Sequence, residues 1–168
     1  MSPSKSLLPE FTHEMAGLRR VIERIPADRL EYRPHPKSFT LGQLANHLVE
    51  VPGWAATTLT TAELDYSLPE NVAKRATPSK DAAGLLRTLD AGVEAAVKAF
   101  ADTPDEVFHG DWTLKNEGQV LFTMPRLAVL RGFVLNHAIH HRAQLTVYLR
   151  LLEVPVPALY GPSADEEG

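Results

Sequence analysis

Four stretches of this sequence carry apolar residues at alternating intervals of three and four positions, and this repeat constrains the fold more than any other feature. Side chains spaced in this way lie on one face of an α-helix. The inward-facing sets are Leu8, Phe11, Met15, Leu18, Ile22 and Ile25; Leu44, His47, Leu48, Val51 and Ala55; Leu86, Leu89, Val93, Ala96 and Phe100; and Leu127, Leu130, Val134, His137, His141, Tyr148 and Leu152. Four amphipathic helices bury such faces most simply against one another. The sequence therefore predicts an all-α four-helix bundle.

Proline residues and capping signals predict the ends of the first two helices. The first helix should end near Pro26, and the proline-rich linker over residues 27–39 should be an extended loop. The second helix should begin at Thr40, because Thr40 and Gln43 have the spacing of a capping box. Pro52 lies inside this second helix, where its ring removes one backbone hydrogen bond, so we expect a kink or local unwinding there.

Two more helices and a long connection are predicted in the second half of the chain. The polar residues 65–76 should form a loop, after which Thr77 and Pro78 have the N-cap and first-turn signature of the third helix. Residues 102–122 are irregular and predict a long connection that has room for a short hairpin. The fourth helix should span about residues 123–153 and stop at the prolines that follow. These long connections allow crossover as well as up-and-down topologies.

The length and composition of the chain restrict its class of function. Its 168 residues suit one domain over residues 1–168, ending in a polar, mobile tail from about residue 158. The formal net charge of −4 lacks the basic surplus of a nucleic-acid-binding protein. The absence of cysteine excludes disulfides, thiolate metal sites and a cysteine nucleophile. No apolar run reaches the roughly 18 residues of a membrane span, and no signal peptide is evident. We therefore expect a cytoplasmic protein without nucleic-acid or membrane partners.

Three histidines occupy positions where a buried helical face would otherwise carry leucine or valine. His137 and His141 are four residues apart and so share one face of the fourth helix, while His47 lies on the inward face of the second helix. Burying a polar ring without a partner costs about 1–3 kcal/mol. One divalent metal ion bound by all three rings accounts for the pattern. Histidines that are hydrogen-bonded within the core are the simpler alternative, and the spacing leaves it open.

The remaining histidines are predicted to lie outside this cluster. His140 is turned by about 100° around the helix from His141, so we expect it beside the site or near its rim. His13, His35 and His109 have the sequence surroundings of surface or loop residues.

Several short motifs follow one another in a specific order along nearly the whole chain. Residues 136–145 read NHAIHHRAQL. Their companions are LANHL at 44–48, Pro34 and Ser38 in the preceding loop, and the endings VPVP at 154–157 and YGPS at 160–163. In this order they resemble the DinB/YfiT-like metalloenzyme family, whose signature helix has the usual form His-x-x-x-His-Arg-Gly-Gln. Ala143 stands where that family usually has Gly, and its methyl group should tighten helix packing without disturbing the ligands.

The resemblance implies a four-helix bundle, often a homodimer, that binds zinc, nickel or a similar divalent ion. Carried over by position, the three metal ligands are His47, His137 and His141. Characterised members include transferases that use low-molecular-weight thiols and an isomerase that uses such a thiol as cofactor. An external thiol is therefore an implied cosubstrate, and DNA binding is not implied.

Three histidine ligands also have a chemical consequence. Structural zinc sites usually close with four protein ligands, whereas three leave one position for water or substrate. The uncompensated charge of the ion favours an anion there, such as hydroxide, a thiolate or a carboxylate. Glu50, three residues after His47, is a candidate for orienting an imidazole or acting as a general base, and a solvent-facing glutamate is the alternative. Gln144, three residues after His141, is a candidate for positioning a ligand.

The predicted function is that of a metal-dependent transferase or hydrolase acting on a small molecule. A non-catalytic module, in which the metal only secures a small-molecule ligand, is the second hypothesis. The third is a carboxylate-bridged two-metal bundle, which is built from Glu-x-x-His half-motifs. The matching pairs are Glu10 with His13 and Glu106 with His109. Neither histidine lies on an apolar face, which argues against this third hypothesis.

Overall fold

The computed structural model describes residues 2–73 and 75–167 of the chain. Its elements in chain order are α1 (Pro3–Ile22), a 3₁₀ turn (Ala27–Arg29), α2 (Leu41–Thr60), β1 (Glu63–Asp65), α3 (Pro69–Val72), α4 (Ala82–Asp102), α5 (Asp105–His109), β2 (Asp111–Asn116), β3 (Gln119–Pro125), α6 (Arg126–Val129), a π-helical segment (Leu130–Asn136) and α7 (His137–Leu151). In this described part of the chain, no helix is both long and apolar enough to cross a membrane.

The long helices bury their predicted apolar faces in one shared core. Phe11 of α1, Leu48 of α2 and Leu89 of α4 are almost wholly buried, as is Leu145 of α7. The ring of Phe11 packs at 5.5 Å between centroids against Phe100, at the far end of α4. In proteins, a helix is stabilised mainly by packing its apolar face and only slightly by the helix propensity of its residues. The three-and-four spacing of apolar residues therefore indicates which side of each helix faces inward.

The second helix begins where the capping residues predict. The Thr40 hydroxyl accepts a hydrogen bond from the Gln43 backbone N–H at 3.1 Å, and the Gln43 side chain accepts one from the Thr40 N–H at 2.9 Å. The helix continues through Pro52 without interruption, so the expected local unwinding is absent. A Cβ atom on Gly92 of α4 would lie 3.1 Å from the Gly53 backbone nitrogen, which shows how closely α2 and α4 approach just after this proline.

Two predictions are wrong, one about the start of the third helix and one about the segment that precedes it. The helix begins at Ala82, and its N-cap is Asp81, whose carboxylate accepts a hydrogen bond from the Gly84 N–H at 2.6 Å. The Thr77-Pro78 pair lies in the preceding coil, since a free carboxylate nearer the apolar repeat caps the helix instead. The segment 65–76 is also not simply a loop, because it contains the short helix α3.

A three-stranded sheet makes the protein mostly helical rather than all-α. Strand β2 lies in the middle, parallel to β1 and antiparallel to β3. The long connection contains the short hairpin for which the sequence left room, and its turn uses positive φ angles at Glu117 (51°) and Gly118 (76°). Strand β1 has only three residues, too few for a period-two pattern to be visible in the sequence.

The C-terminal segment is held against the helices, although its polar composition predicts mobility. Arg24, in the turn that follows α1, pairs with Glu166, and Arg150 of α7 pairs with Asp165 at 2.5 Å. Ala158 is buried, and its N–H donates to the Glu166 carboxylate at 2.9 Å. Specific ion pairs of this kind depend on the positions of α1 and α7, and composition alone does not reveal them.

Candidate metal centre

The structure brings His47, His137 and His141 together at the junction of α2 and α7. The Nε2 atoms of His47 and His137 are 2.8 Å apart, and the three ring centroids are separated by 4.5 to 5.0 Å. One nitrogen from each ring can be chosen so that all three lie within 4.8 Å of one another. Among residues 2–73 and 75–167, this is the one group of three or more His, Cys, Asp or Glu side chains that converges closely enough to hold an ion.

The electrostatics of the cluster favour the neutral form of His47 and His137, which is the form that binds metal. Burial, followed by the charges that His141 and His47 would carry, lowers the pKa of His137 to about 4. Burial, and then a charge on His141, also lowers the pKa of His47 below its ordinary value. Two nitrogens 2.8 Å apart can both lie about 2.0–2.1 Å from one ion, so the donor atoms and their spacing fit a divalent metal.

The third ring is oriented by a side chain of its own helix. The Nδ1 atom of His141 lies 2.7 Å from Oε1 of Gln144. With Nδ1–H donating to that oxygen, Nε2 of His141 keeps its lone pair, as in metal sites where an outer partner sets the tautomer. The structure thus places Gln144 where it can position a ligand, as its spacing from His141 predicts.

The other histidines lie where the sequence predicts. His140 is exposed at the edge of the cluster, with its ring 4.9 Å from that of His141. The three predicted surface or loop histidines are His13, His35 and His109, and all are exposed. Glu10, half of one Glu-x-x-His pair, is ion-paired with Arg131 on the surface. The described residues therefore do not assemble the carboxylates and histidines of the two-metal alternative.

Glu50 is half-buried beside the cluster but does not orient any of the three rings. No hydrogen bond to its carboxylate is formed within residues 2–73 and 75–167. Burial raises the pKa of Glu50, and the nearby positive charge of Arg75 partly opposes this rise. Glu50 therefore lines the cavity and supports none of the three histidines within the described residues.

A π-helical segment leads directly into His137. This segment, Leu130–Asn136, takes more residues per turn than an α-helix and is a rare element that is often found at functional sites. The wider turn brings Phe133 and Val134 to the wall of the same cavity as His137. The three-and-four spacing alone would assign only Val134 and His137 to that side, so Phe133 was missed.

A cavity of about 820 Å³ adjoins the histidines and is lined by residues from α2, the sheet and the π-helical segment. His47, Glu50 and His137 form part of its wall. Trp54 also lines the cavity, with its ring 5.6 Å from His47 and 5.4 Å from His137 between centroids. Trp54 was not predicted as a site residue, although its position two helical turns after His47 puts both side chains on one face of α2.

The fold and the site define a class of mostly helical proteins in which three imidazoles converge beside a large cavity. A sequence model of the DinB family matches residues 1–167. The chain belongs to the DinB family, which confirms the resemblance found in its motifs. No curated protein sequence matches it significantly.

Two solved structures share this fold. A DinB-like protein from Bacillus cereus ATCC 10987 has a TM-score of 0.69 and 21% sequence identity, over 93% of this chain and 97% of that chain. A DinB-like protein from Bacillus subtilis has a TM-score of 0.69 and 17% identity, over 92% of this chain and 96% of that one. At these identities, the likeness shows a common fold and nothing more specific.

Proposed function

We propose that this protein binds one divalent metal ion, zinc or nickel, through His47, His137 and His141, and that it is a metal-dependent transferase or hydrolase of small molecules. We further propose that its helical part is a four-helix bundle carrying the small sheet as an addition. The observation that carries the proposal is the convergence of three imidazoles, with nitrogens within 4.8 Å of one another, beside a cavity of about 820 Å³.

The residues around the site have separate roles in this proposal. The bound ion would supply a Lewis acid with a coordination position left open for an anion. Gln144 would hold His141 in the tautomer that leaves Nε2 unprotonated, and Trp54 packs beside His47 and His137 in the cavity wall. Glu50 is close enough to the cavity to accept a proton from a nucleophile.

An external low-molecular-weight thiol is the nucleophile that we favour. In the transfer step its S–H proton would pass to the Glu50 carboxylate, the sulfur would bond to an electrophilic carbon, and the leaving group would depart with the bonding electron pair. The chain has no cysteine, so the sulfur has to come from outside. The resemblance of the motifs to the DinB/YfiT-like family supports this choice, because the characterised members of that family include transferases that use low-molecular-weight thiols.

The second candidate is a binding module in which the ion secures a ligand without turnover. The absence of any hydrogen bond to Glu50 from the described residues leaves this candidate open, because nothing there holds the carboxylate at a reacting atom. Thiol binding without conversion of a broad panel of electrophiles would favour this module over an enzyme.

Metal content measured by elemental analysis tests the ligand set. We expect about one ion per chain in the wild type and almost none in His137→Ala or His141→Ala, because two neutral nitrogens rarely hold an ion tightly. His47→Ala should behave nearly the same, and His109→Ala, which removes an exposed histidine, should retain the ion. Full occupancy in His47→Ala would show that the ligand assignment is wrong.

Turnover is tested separately with glutathione and 1-chloro-2,4-dinitrobenzene, and then with a wider panel of electrophiles. The metal-loaded protein should form the thioether, and chelation should stop the reaction while leaving most of the helix content. An unchanged rate in the metal-free protein would rule out a metal-dependent enzyme.

A further inference from the structure

Three aromatic side chains form a wall of the cavity and lie outside the main apolar core. Phe122 of β3 and Phe133 of the π-helical segment stack at 4.7 Å between centroids, with 22° between their planes. Trp112 of β2 packs against Phe122 at 6.2 Å. None of the three belongs to the core cluster formed by the long helices, and 39% of Phe133 is exposed. Their apolar surface faces the cavity and is not explained by the packing of the helices.

Four of the five threonines that line the cavity add little polarity to it. The hydroxyls of Thr57, Thr60 and Thr61 each donate to the backbone carbonyl four residues earlier, at 3.4, 2.8 and 2.8 Å. Thr88 does the same on α4, at 3.3 Å. A threonine bonded in this way has no hydroxyl proton left for a ligand.

The indole N–H of the wall is also satisfied within the protein. Trp112 Nε1 donates to the Thr61 hydroxyl oxygen at 3.1 Å. Glu63, an acidic residue of the lining, is ion-paired with Lys115 at 2.6 Å. The charged groups of the lining that remain available towards the histidine end are therefore the carboxylate of Glu50 and the guanidinium of Arg75, which is near enough to act on that carboxylate. The cavity is apolar and aromatic on one side and polar at the histidine end.

We infer that the substrate of this site has a flat aromatic body of two or more rings and a single polar, reactive group at one end. The body would lie between Trp54 and the wall formed by Trp112, Phe122 and Phe133, and the polar group would point towards His47, His137 and Glu50. A volume of about 820 Å³ is in the range of pockets that hold drug-sized molecules. Offset and edge-on contacts between aromatic rings favour an aromatic body over a saturated one of the same shape.

This inference rests on the proposed function for its account of the reactive end, whereas binding of the aromatic body does not require the ion. The two can therefore be tested apart. The probes are 2-naphthol and decahydro-2-naphthol, which share a two-ring skeleton and a hydroxyl group but differ in aromaticity. Calorimetric titration of the metal-free and the zinc-loaded protein gives both affinities. We expect 2-naphthol to bind about threefold to tenfold more tightly than the saturated alcohol in both forms.

Neighbouring residues of β3 provide a matched pair of variants. Phe122 faces the cavity, whereas Leu121 points to the other face of the strand and is 53% exposed. Phe122→Ala and Phe133→Ala should each weaken 2-naphthol binding at least fivefold and keep the wild-type zinc stoichiometry. Leu121→Ala should leave both unchanged, and circular dichroism checks that each variant is folded.

Three results would overturn the inference. They are equal affinity for the two alcohols, equal loss of binding in Leu121→Ala and Phe122→Ala, and no binding of 2-naphthol to folded wild-type protein. If zinc fails to bind while 2-naphthol binds as expected, the proposed metal function is wrong and the aromatic-binding cavity stands.

Discussion

The Nε2 atoms of His47 and His137 lie 2.8 Å apart although 90 positions separate the two residues in the chain. A pair of unprotonated nitrogens at this distance repel each other, so one ring must donate a hydrogen bond or both must share a cation. The lowered pKa values of both rings disfavour an additional proton between them. A hydrogen bond between neutral tautomers or a shared divalent ion can each satisfy the contact with both rings neutral, and the ion also accounts for the convergence of His141 on the same place.

The first prediction concerns Gln144, which contacts His141 and not the ion. Gln144→Ala should lower zinc affinity about 10-fold to 100-fold, since the ring of His141 would lose the partner that sets its tautomer. Competition with a chromophoric chelator measures the affinity. Gln119→Ala removes an exposed glutamine of the hairpin and should have no effect. Equal zinc affinity in both variants would show that Gln144 does not support the site.

The second prediction concerns Glu50 as a base. Glu50→Gln should reduce the rate of thiol transfer about 10-fold to 100-fold while the metal is retained, because the amide cannot accept the proton. Glu63→Gln is the matched control, since Glu63 lines the same cavity but is neutralised by Lys115. If Glu50→Gln is as active as the wild type, the metal-dependent mechanism survives without this residue.

The third prediction concerns the buried ion pair beside the site. Arg142 donates to the Glu14 carboxylate at 2.7 Å and to the Glu14 backbone carbonyl at 2.9 Å, and both side chains are more than 90% buried. The Tyr160 hydroxyl donates to the same carboxylate at 2.7 Å, which ties the C-terminal segment to α1 and α7. Arg142→Met should lower the free energy of unfolding by about 3–5 kcal/mol, because it leaves Glu14 buried without its partner.

Urea unfolding measures this loss of stability. Removing Arg131, which pairs with Glu10 on the surface, should change the free energy of unfolding by no more than about 1 kcal/mol. Similar losses in Arg142→Met and Arg131→Met would contradict the assignment of a buried, stabilising pair.

The fourth prediction concerns the pH dependence of the metal-free protein. The pKa of His137 is about 4 in the folded protein, against an ordinary value of 6.5. As the pH falls, His137 is protonated at a higher pH in the unfolded chain than in the folded protein. Protonation therefore stabilises the unfolded state first, and the folded protein loses stability between about pH 6.5 and pH 4. Between pH 7.5 and pH 5.0, the Tm of metal-free wild type should fall further than that of metal-free His137→Gln.

His13→Gln provides the control for this comparison, because His13 is exposed and lies away from the cluster. Its Tm should fall as far as that of the wild type. An identical fall in His137→Gln would mean that His137 does not remain neutral in the folded protein.

The fifth prediction concerns assembly. Val147 and Leu151 are more than half exposed and lie one turn apart on α7, which leaves an apolar strip outside the core. We predict a homodimer, and Val147→Glu should shift it towards the monomer if this strip forms the contact. Light scattering at micromolar concentration measures the mass, and Val120→Glu, on the hairpin, is the exposed control. A monomer mass for the wild type would contradict the prediction.

Much of the helical layer and all three clustered histidines could be predicted from local information. A repeat of three and four positions marks the inward face of a helix wherever that helix packs, so His47, His137 and His141 appear as polar residues at apolar positions. The Thr40 and Gln43 capping box is equally local, because both hydrogen bonds lie within one turn. By contrast, the cap predicted at Thr77 was wrong, and only the structure shows that Asp81 caps this helix instead.

What depends on distant parts of the chain could not be predicted in this way. The parallel pairing of β1 with β2 joins residues about 50 positions apart, and three residues of strand leave no periodic signal. The aromatic wall exists because Phe122 and Phe133 meet across the hairpin and the π-helical segment. The ion pair between Arg24 and Glu166 likewise joins residues that are far apart in the chain. The sequence by itself determined which faces of the helices are buried and which histidines lie on them, because helical spacing is a local property. Only the tertiary structure decided that those histidines share one point and face an aromatic cavity, because both depend on how separate elements pack.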